Sequence, residues 1–267
     1  MKRNILVVGF VAVLVGCGIS TQQEVELGQS YSQQINAQLP IVSDPEINRY
    51  VNVLGDSIAK LSDERNLDWR FYVVDSRDVN AFAVPGGFIY VNRGLIERAQ
   101  NLSMLAGVLG HEIGHVIERH SVQQMQKMQQ AQIGVTLACI LTRVCESQAA
   151  GALIDVAGTA VFAKFSRDDE READRNAITY VSRAGIHPGG IPAMFRVLLS
   201  ERNRGSSAIE SWFATHPLEE DRIAETEAMI KQIDPAILET LTTDTQNFQD
   251  FRRRVQALPP PPARPRS

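Results

Sequence analysis

The sequence predicts an α+β fold, mainly helical, with a single small β-sheet. Apolar residues recur at helical spacing in long stretches, as in Ile47, Tyr50, Val51, Leu54, Ile58 and Leu61. Residues 69–91 instead carry short runs rich in β-branched and aromatic side chains, punctuated by Asn, Pro and Gly. Aromatics make up 6% of the chain, which favours a helical core of Ala, Leu and Val over a sandwich. At 267 residues, 44% hydrophobic and 22% charged, the chain has material for one large domain or two small ones. A formal net charge of -4 implies no strongly basic face, so nucleic acid is not an expected partner.

In chain order, Met1-Lys2-Arg3-Asn4 is a basic start and Ile5 to Val15 a short apolar run. That pattern reads as a secretory signal over residues 1–16, not as a spanning helix. Its end, Leu14-Val15-Gly16-Cys17, resembles a bacterial lipobox, so Cys17 is the expected lipidation site and membrane anchor. In a Gram-negative cell, Gly18 in place of an Asp points to the outer membrane, facing the periplasm. Residues 17–42 are expected to form a tether and a first helix, with Val25, Leu27, Tyr31, Ile35 and Leu39 near helical spacing and Pro40 ending it. In an exported chain Cys139 and Cys145 either pair or remain buried thiols. A bridge needs a break between them, because a continuous helix would hold their Cα atoms about 9 Å apart.

Residues 43–257 form the expected main domain. Asp44-Pro45-Glu46 is a helix start, with Pro at the first helical position and an acidic first turn. Trp69 to Val74, Asn80 to Val84 and Phe88 to Val91 read as strands. Asn80, Ala81, Phe82 and Ala83 are the candidate edge, since an extended peptide adds to a free strand by main-chain hydrogen bonds. Arg252-Arg253-Arg254 and the Pro-rich residues 258–267 are expected to be an extended, disordered tail.

The functional signal is His111-Glu112-Ile113-Gly114-His115, inside a mostly apolar helical segment capped by Asn101 and expected to run on past His120. Residues four apart share a helix face, so both imidazoles can reach one ion. Glu112, turned by about 100° from His111, lies beside that ion as a base. The pattern suits a zinc hydrolase. Gly107, Gly110 and Gly114 cost helix propensity and imply close packing of another element. A third ligand is not supplied by the H-E-x-x-H-x-x-G-x-x-H pattern, because Glu118 and Ser121 stand where Gly and His would be needed. His120, out of register, is expected to point elsewhere on the helix and to serve in packing or beside the ligands. Further on, Glu170 and Asp174 lie four apart, so one can ligate and the other can hold a ligating His. The apolar segments Ile133 to Leu141 and Ala149 to Phe165 are each too short or interrupted to span a membrane and are expected to form a helical hairpin.

H-E-x-x-H followed at long range by E-x-x-A-D resembles the zinc peptidases of the HtpX and CAAX prenyl endopeptidase type, peptidase family M-forty-eight. Asn80-Ala81-Phe82-Ala83, Pro85-Gly86-Gly87, Gly107-Val108-Leu109-Gly110 and the late His216-Pro217 with Asp221-Arg222-Ile223 carry the same resemblance, over roughly residues 43–230. It implies a zincin-like metallopeptidase domain whose edge strand lies over the active site. It implies one Zn2+ held by His111, His115 and Glu170, with Glu112 as catalytic base and Asp174 behind a ligand. His216 would either stabilise the oxyanion or occupy the open position at rest, and Arg222 would buttress the Glu170 helix. The implied branch is exported and lipid-anchored, without room for C-terminal helical repeats. Expected partners are unfolded or misassembled envelope proteins and, through acylated Cys17, a lipid membrane. Two rivals are a chaperone or assembly factor with little proteolysis, and a lipoprotein whose zinc is purely structural, with four protein ligands.

Overall fold

The computed structural model describes residues 18–128, 164–217 and 220–261. The expected signal at residues 1–16, Cys17, Cys139, Cys145, nearly all of the expected hairpin between 131 and 165, and the end of the expected tail at 262–267 lie outside the described residues. Among the described residues no helix is long and apolar enough to cross a membrane.

Helix α1 (Thr21–Gln38) starts with a reciprocal cap between Ser20 and Gln23 and ends before Pro40. It is docked against the sheet, not loose: a Cβ on Gly28 would fall 1.8 Å from the Pro85 carbonyl oxygen. Helix α2 (Pro45–Ala59) is capped by the Asp44 carboxylate, as its sequence predicts. Strands β1 (Arg70–Val74), β2 (Ala81–Val84) and β3 (Phe88–Asn92) form one sheet in the order β1-β3-β2. β3 pairs parallel with β1 and antiparallel with β2. The tight β2–β3 turn needs Gly86 and Gly87 at positive φ. Asn80 precedes β2 rather than belonging to it, and its carbonyl accepts the Asn92 N–H at 2.9 Å. By antiparallel alternation, Phe82 and Val84 then bond to β3, while Ala81 and Ala83 turn N–H and C=O to the free edge.

Helix α3 (Arg93–Arg98) leads to α4 (Leu102–Ile117), whose residues Leu102 to Val116 are all buried. Helix α5 (Arg167–Arg183) crosses it closely, with Gly114 against the backbone of Ala173 and Gly110 against Ala177. Helix α6 (Gly190–Asn203) packs Ile191 against Gly107. The three small residues thus open α4 to its neighbours, as expected. Leu105, Leu109 and Ile113 are fully buried and contribute roughly 1.5–3 kcal/mol each. A 3-10 turn (Ser207–Ile209) and α7 (Glu210–Thr215) lead to His216, and α8 (Glu220–Ile230), the short α9 (Pro235–Leu238) and α10 (Gln246–Gln256) close the domain.

Two expectations are corrected. The α4 helix does not run through His120: it stops at Ile117, Arg119 takes a left-handed φ of 60°, and a new helical stretch covers 120–128. That conformation costs a non-glycine residue roughly 1–2 kcal/mol, offset by the bonds its side chain makes to buried Glu24 and to the Ile19 carbonyl. The Arg252–Arg254 run is not an extended tail but part of α10, which buries Phe248, Phe251 and Val255 on one stripe. Leu258 and Pro259 are held as well, their carbonyls accepting from buried Arg93. The basic run masked the helix's apolar stripe at the sequence level.

Candidate metal centre

Helix α4 supplies His111 and His115, one turn apart, and α5 supplies Glu170. Their donor atoms and a nitrogen of His216 lie within 4.8 Å of one another, and all four residues are buried. The Nε2 atoms of His111 and His115 are 3.0 Å apart. Glu170 reaches both, at 3.6 Å from His111 Nε2 and 3.4 Å from His115 Nε2. His216 Nδ1 stands 3.0 Å from Glu170 Oε1 and 3.4 Å from His111 Nε2.

The nitrogens' proton positions follow from their outer partners. His111 Nδ1 donates to Asp174 Oδ1 at 2.9 Å, so its Nε2 carries the lone pair. Arg222, on α8, grips Asp174 with Nε and Nη2 at 2.8 and 2.7 Å and Glu170 with Nη1 at 2.5 Å. Two ring nitrogens crowded at 3.0 Å beside a buried carboxylate form a nest of acceptors for a cation. The donor set therefore fits a divalent metal.

Electrostatics sharpen the division of labour. Burial drives the His115 pKa well below its ordinary value, keeping a neutral imidazole able to ligate. For Glu170, burial raises the pKa, but His216 and Arg222 outweigh it and hold the carboxyl well below the usual range. For Asp174, burial is likewise overcome, chiefly by Arg222, and the pKa falls. His216 resists its own burial because Glu170 and Glu112 raise its pKa.

Glu112 is different in kind. It is fully buried, yet neither carboxylate oxygen has a hydrogen-bond partner among the described residues. Its pKa is raised, first by burial, against opposition from His216 and His111. The Ala83 amide on β2 is close enough to lower it slightly without meeting hydrogen-bond geometry. His216 Nε2 stands 3.5 Å from Glu112 Oε1. The free edge of β2 therefore borders the site, and its upstream end is covered where Val79 N–H bonds the Ala208 carbonyl at 2.7 Å.

The residues expected at the site thus come together: His111, His115, Glu170, Glu112, Asp174, His216 and Arg222, with Ala83 of the edge strand beside them. Three neighbours went unnoticed in the sequence. Phe165 stacks on His115 at 3.9 Å between ring centroids. Trp212 packs on His216 at 4.7 Å. Buried Glu24, far away in sequence, ties the N-terminal helix to the end of α4. No local pattern marks these contacts.

Fold and site together define a zincin-like domain. The family model described as Peptidase family M48 matches residues 44–230, and the chain belongs to that family. It is similar to the beta-barrel assembly-enhancing protease of Escherichia coli, 31% identical over 232 residues, 84% of this chain and 47% of that one. The protein of the same name in Yersinia pestis is 31% identical over 252 residues, covering 91% of this chain and 50% of its own. Metalloprotease YcaL of Escherichia coli is 34% identical over 153 residues, 57% of this chain and 58% of its own. The chain spans about half the length of the beta-barrel assembly-enhancing proteases it matches.

Proposed function

We propose that the protein is a zinc-dependent endopeptidase of the bacterial cell envelope, anchored in the outer membrane by an acylated Cys17 and facing the periplasm. Its proposed substrates are misfolded or unassembled envelope proteins. The relatives named for beta-barrel assembly support β-barrel proteins as one such class. The observation that carries the reading is Glu112, a wholly buried carboxylate that makes no hydrogen bond among the described residues and stands beside a His-His-Glu cation nest. A structural site has no use for it, whereas a general base needs an open carboxylate within reach of the reacting atoms.

A substrate chain laid along β2 would pair with the outward N–H and C=O groups of Ala81 and Ala83 and carry its scissile bond past Glu112. Zinc held by His111, His115 and Glu170 would supply Lewis-acid polarisation and a more acidic water. Glu112, its pKa raised by burial, takes the proton of the attacking water and hands it to the leaving amine. Asp174 and Arg222 hold the His111 ring and the Glu170 carboxylate in place. His216 closes the resting cluster at Glu170 and gives way, or turns to the oxyanion, when substrate enters.

The test is degradation of an unstructured protein by wild type, Glu112→Gln and chelated enzyme. Cleavage by wild type alone is expected, and equal cleavage by all three would remove the peptidase reading. Absent cleavage with suppressed aggregation would instead favour a chaperone. The four-donor cluster favours one second reading, a purely structural metal. That reading predicts loss of metal in His216→Ala, whereas the peptidase reading predicts metal retained by the other three ligands.

A further inference from the structure

A ligating histidine ordinarily donates its second ring N–H to a carboxylate, a carbonyl or water. His111 obeys that rule through Asp174. His115 does not. Its Nδ1 faces the Nδ1 of His120 at 2.8 Å, and His120 Nε2 faces Glu172 Oε2 at 3.2 Å. His120 is itself 1% exposed.

The direction of this chain follows from chemistry. His115 Nε2 points into the cluster, 3.0 Å from His111 Nε2, so a metal there uses that lone pair and the ring proton must sit on Nδ1. His120 Nδ1 is then the acceptor. Its own proton belongs on Nε2, where the Glu172 carboxylate receives it. Every hydrogen bond in the line is satisfied by one arrangement.

Residues 115 and 120 could not meet on a continuous helix, where five steps separate them by about 140° around the axis. They meet because α4 stops at Ile117 and Arg119 adopts φ 60°. That turn is locked from a distance. Arg119 Nε donates to Glu24 Oε2 at 2.7 Å, and Arg65 Nη1 donates to both Glu24 oxygens at 3.2 and 3.0 Å. Arg65 Nη2 also caps the end of α4 at the Val116 carbonyl, 2.8 Å away. Glu24 lies on α1 and is 0% exposed.

We propose that His120, supported by Glu172 and swung into place by the Arg119 turn that Glu24 locks, is a positioning residue fixing the tautomer and ring orientation of His115. The proposal rests on the metallopeptidase reading. It also makes the N-terminal helix part of the metal site, because α1 holds the turn that delivers His120.

The experiment measures Zn2+ affinity by chelator competition, and the visible spectrum of the Co2+-substituted protein, for the full chain and its variants. His120→Leu should weaken Zn2+ binding by about 10–100-fold and alter the cobalt spectrum. His120→Asn, whose Oδ1 can accept at the place of Nδ1, should return affinity to within about threefold of wild type, since the acceptor is restored. Melting of the chelated proteins controls for folding. If His120→Leu proves unstable, Glu172→Gln, at a half-exposed carboxylate, carries the same prediction with a smaller loss. Glu24→Gln should weaken binding in the wild type but add nothing to His120→Leu. Unchanged affinity in His120→Leu, or no recovery in His120→Asn, overturns the proposal while leaving the peptidase reading standing. A wild type that binds no divalent metal overturns both.

Discussion

Arg222→Met is the sharpest perturbation of the site that leaves every ligand in place. Arg222 is 3% exposed and is the cation shared by Asp174 and Glu170, themselves 1% and 0% exposed. Removing it leaves two carboxylates buried beside one another without their guanidinium. Breaking a buried pair on one side costs roughly 3–5 kcal/mol. For a chain of this size about 4 kcal/mol corresponds to a loss of about 8–16 °C in Tm. The pH dependence follows from linkage. Asp174 and Glu170 both have depressed pKa values in the folded state, in which Arg222 helps to outweigh their burial. Such groups contribute stability above their unfolded pKa, and that stability is lost as pH falls through the folded value. The gap between wild type and variant should therefore be full at neutral pH and narrow below about pH 4. Thermal melts of both proteins in chelator, repeated across pH, read it directly, and added Zn2+ should recover part of the loss by giving Glu170 another cation. A Tm loss under about 3 °C, or a gap that does not change with pH, would refute the reasoning.

Other consequences are simpler to check. Asp174→Asn should cost about 10–100-fold in Zn2+ affinity by loosening the His111 ring, as measured by chelator competition. Glu112→Gln should leave that affinity within a few fold while cleavage falls below detection, because the carboxylate lies beside the cluster and not in it. Gly28→Ala would gain about 1 kcal/mol of helix propensity on α1, but its Cβ would stand 1.8 Å from the Pro85 carbonyl oxygen. The clash decides the sign, and a lower melting temperature is expected. Chelation should lower the Tm of wild type by several degrees, and Zn2+ should restore it as ligand linkage requires.

Much of the site was legible because short-range geometry carries it. His111 and His115 share a face in any α-helix, as do Glu170 and Asp174, whatever the rest of the chain does. The strands were read from β-branched runs to within a residue of their ends, and Asn101 and Asp44 cap the helices they precede. His120 lies beside a ligating histidine or in packing, as expected, but its direction was misjudged because a helix was assumed to continue where Arg119 breaks it. The turn at that break is bonded to Glu24, 95 residues away in sequence and invisible to any local pattern. The α10 stripe of Phe248, Phe251 and Val255 was hidden beneath three consecutive arginines, although its spacing was there to be read.

By itself the amino-acid order determined the chemistry on offer: two imidazoles and a base at helical spacing, a distant acidic pair, and a strand of small residues. Only the packed chain decided how these are oriented. Close approach at Gly110 and Gly114 brings α5 within reach of α4. Arg222 then joins Glu170 to Asp174, and a buried salt link at Glu24 turns His120 back onto His115. Periodicity is a property of neighbours along the backbone, whereas orientation in a buried site is set by side chains that meet only after the helices have docked.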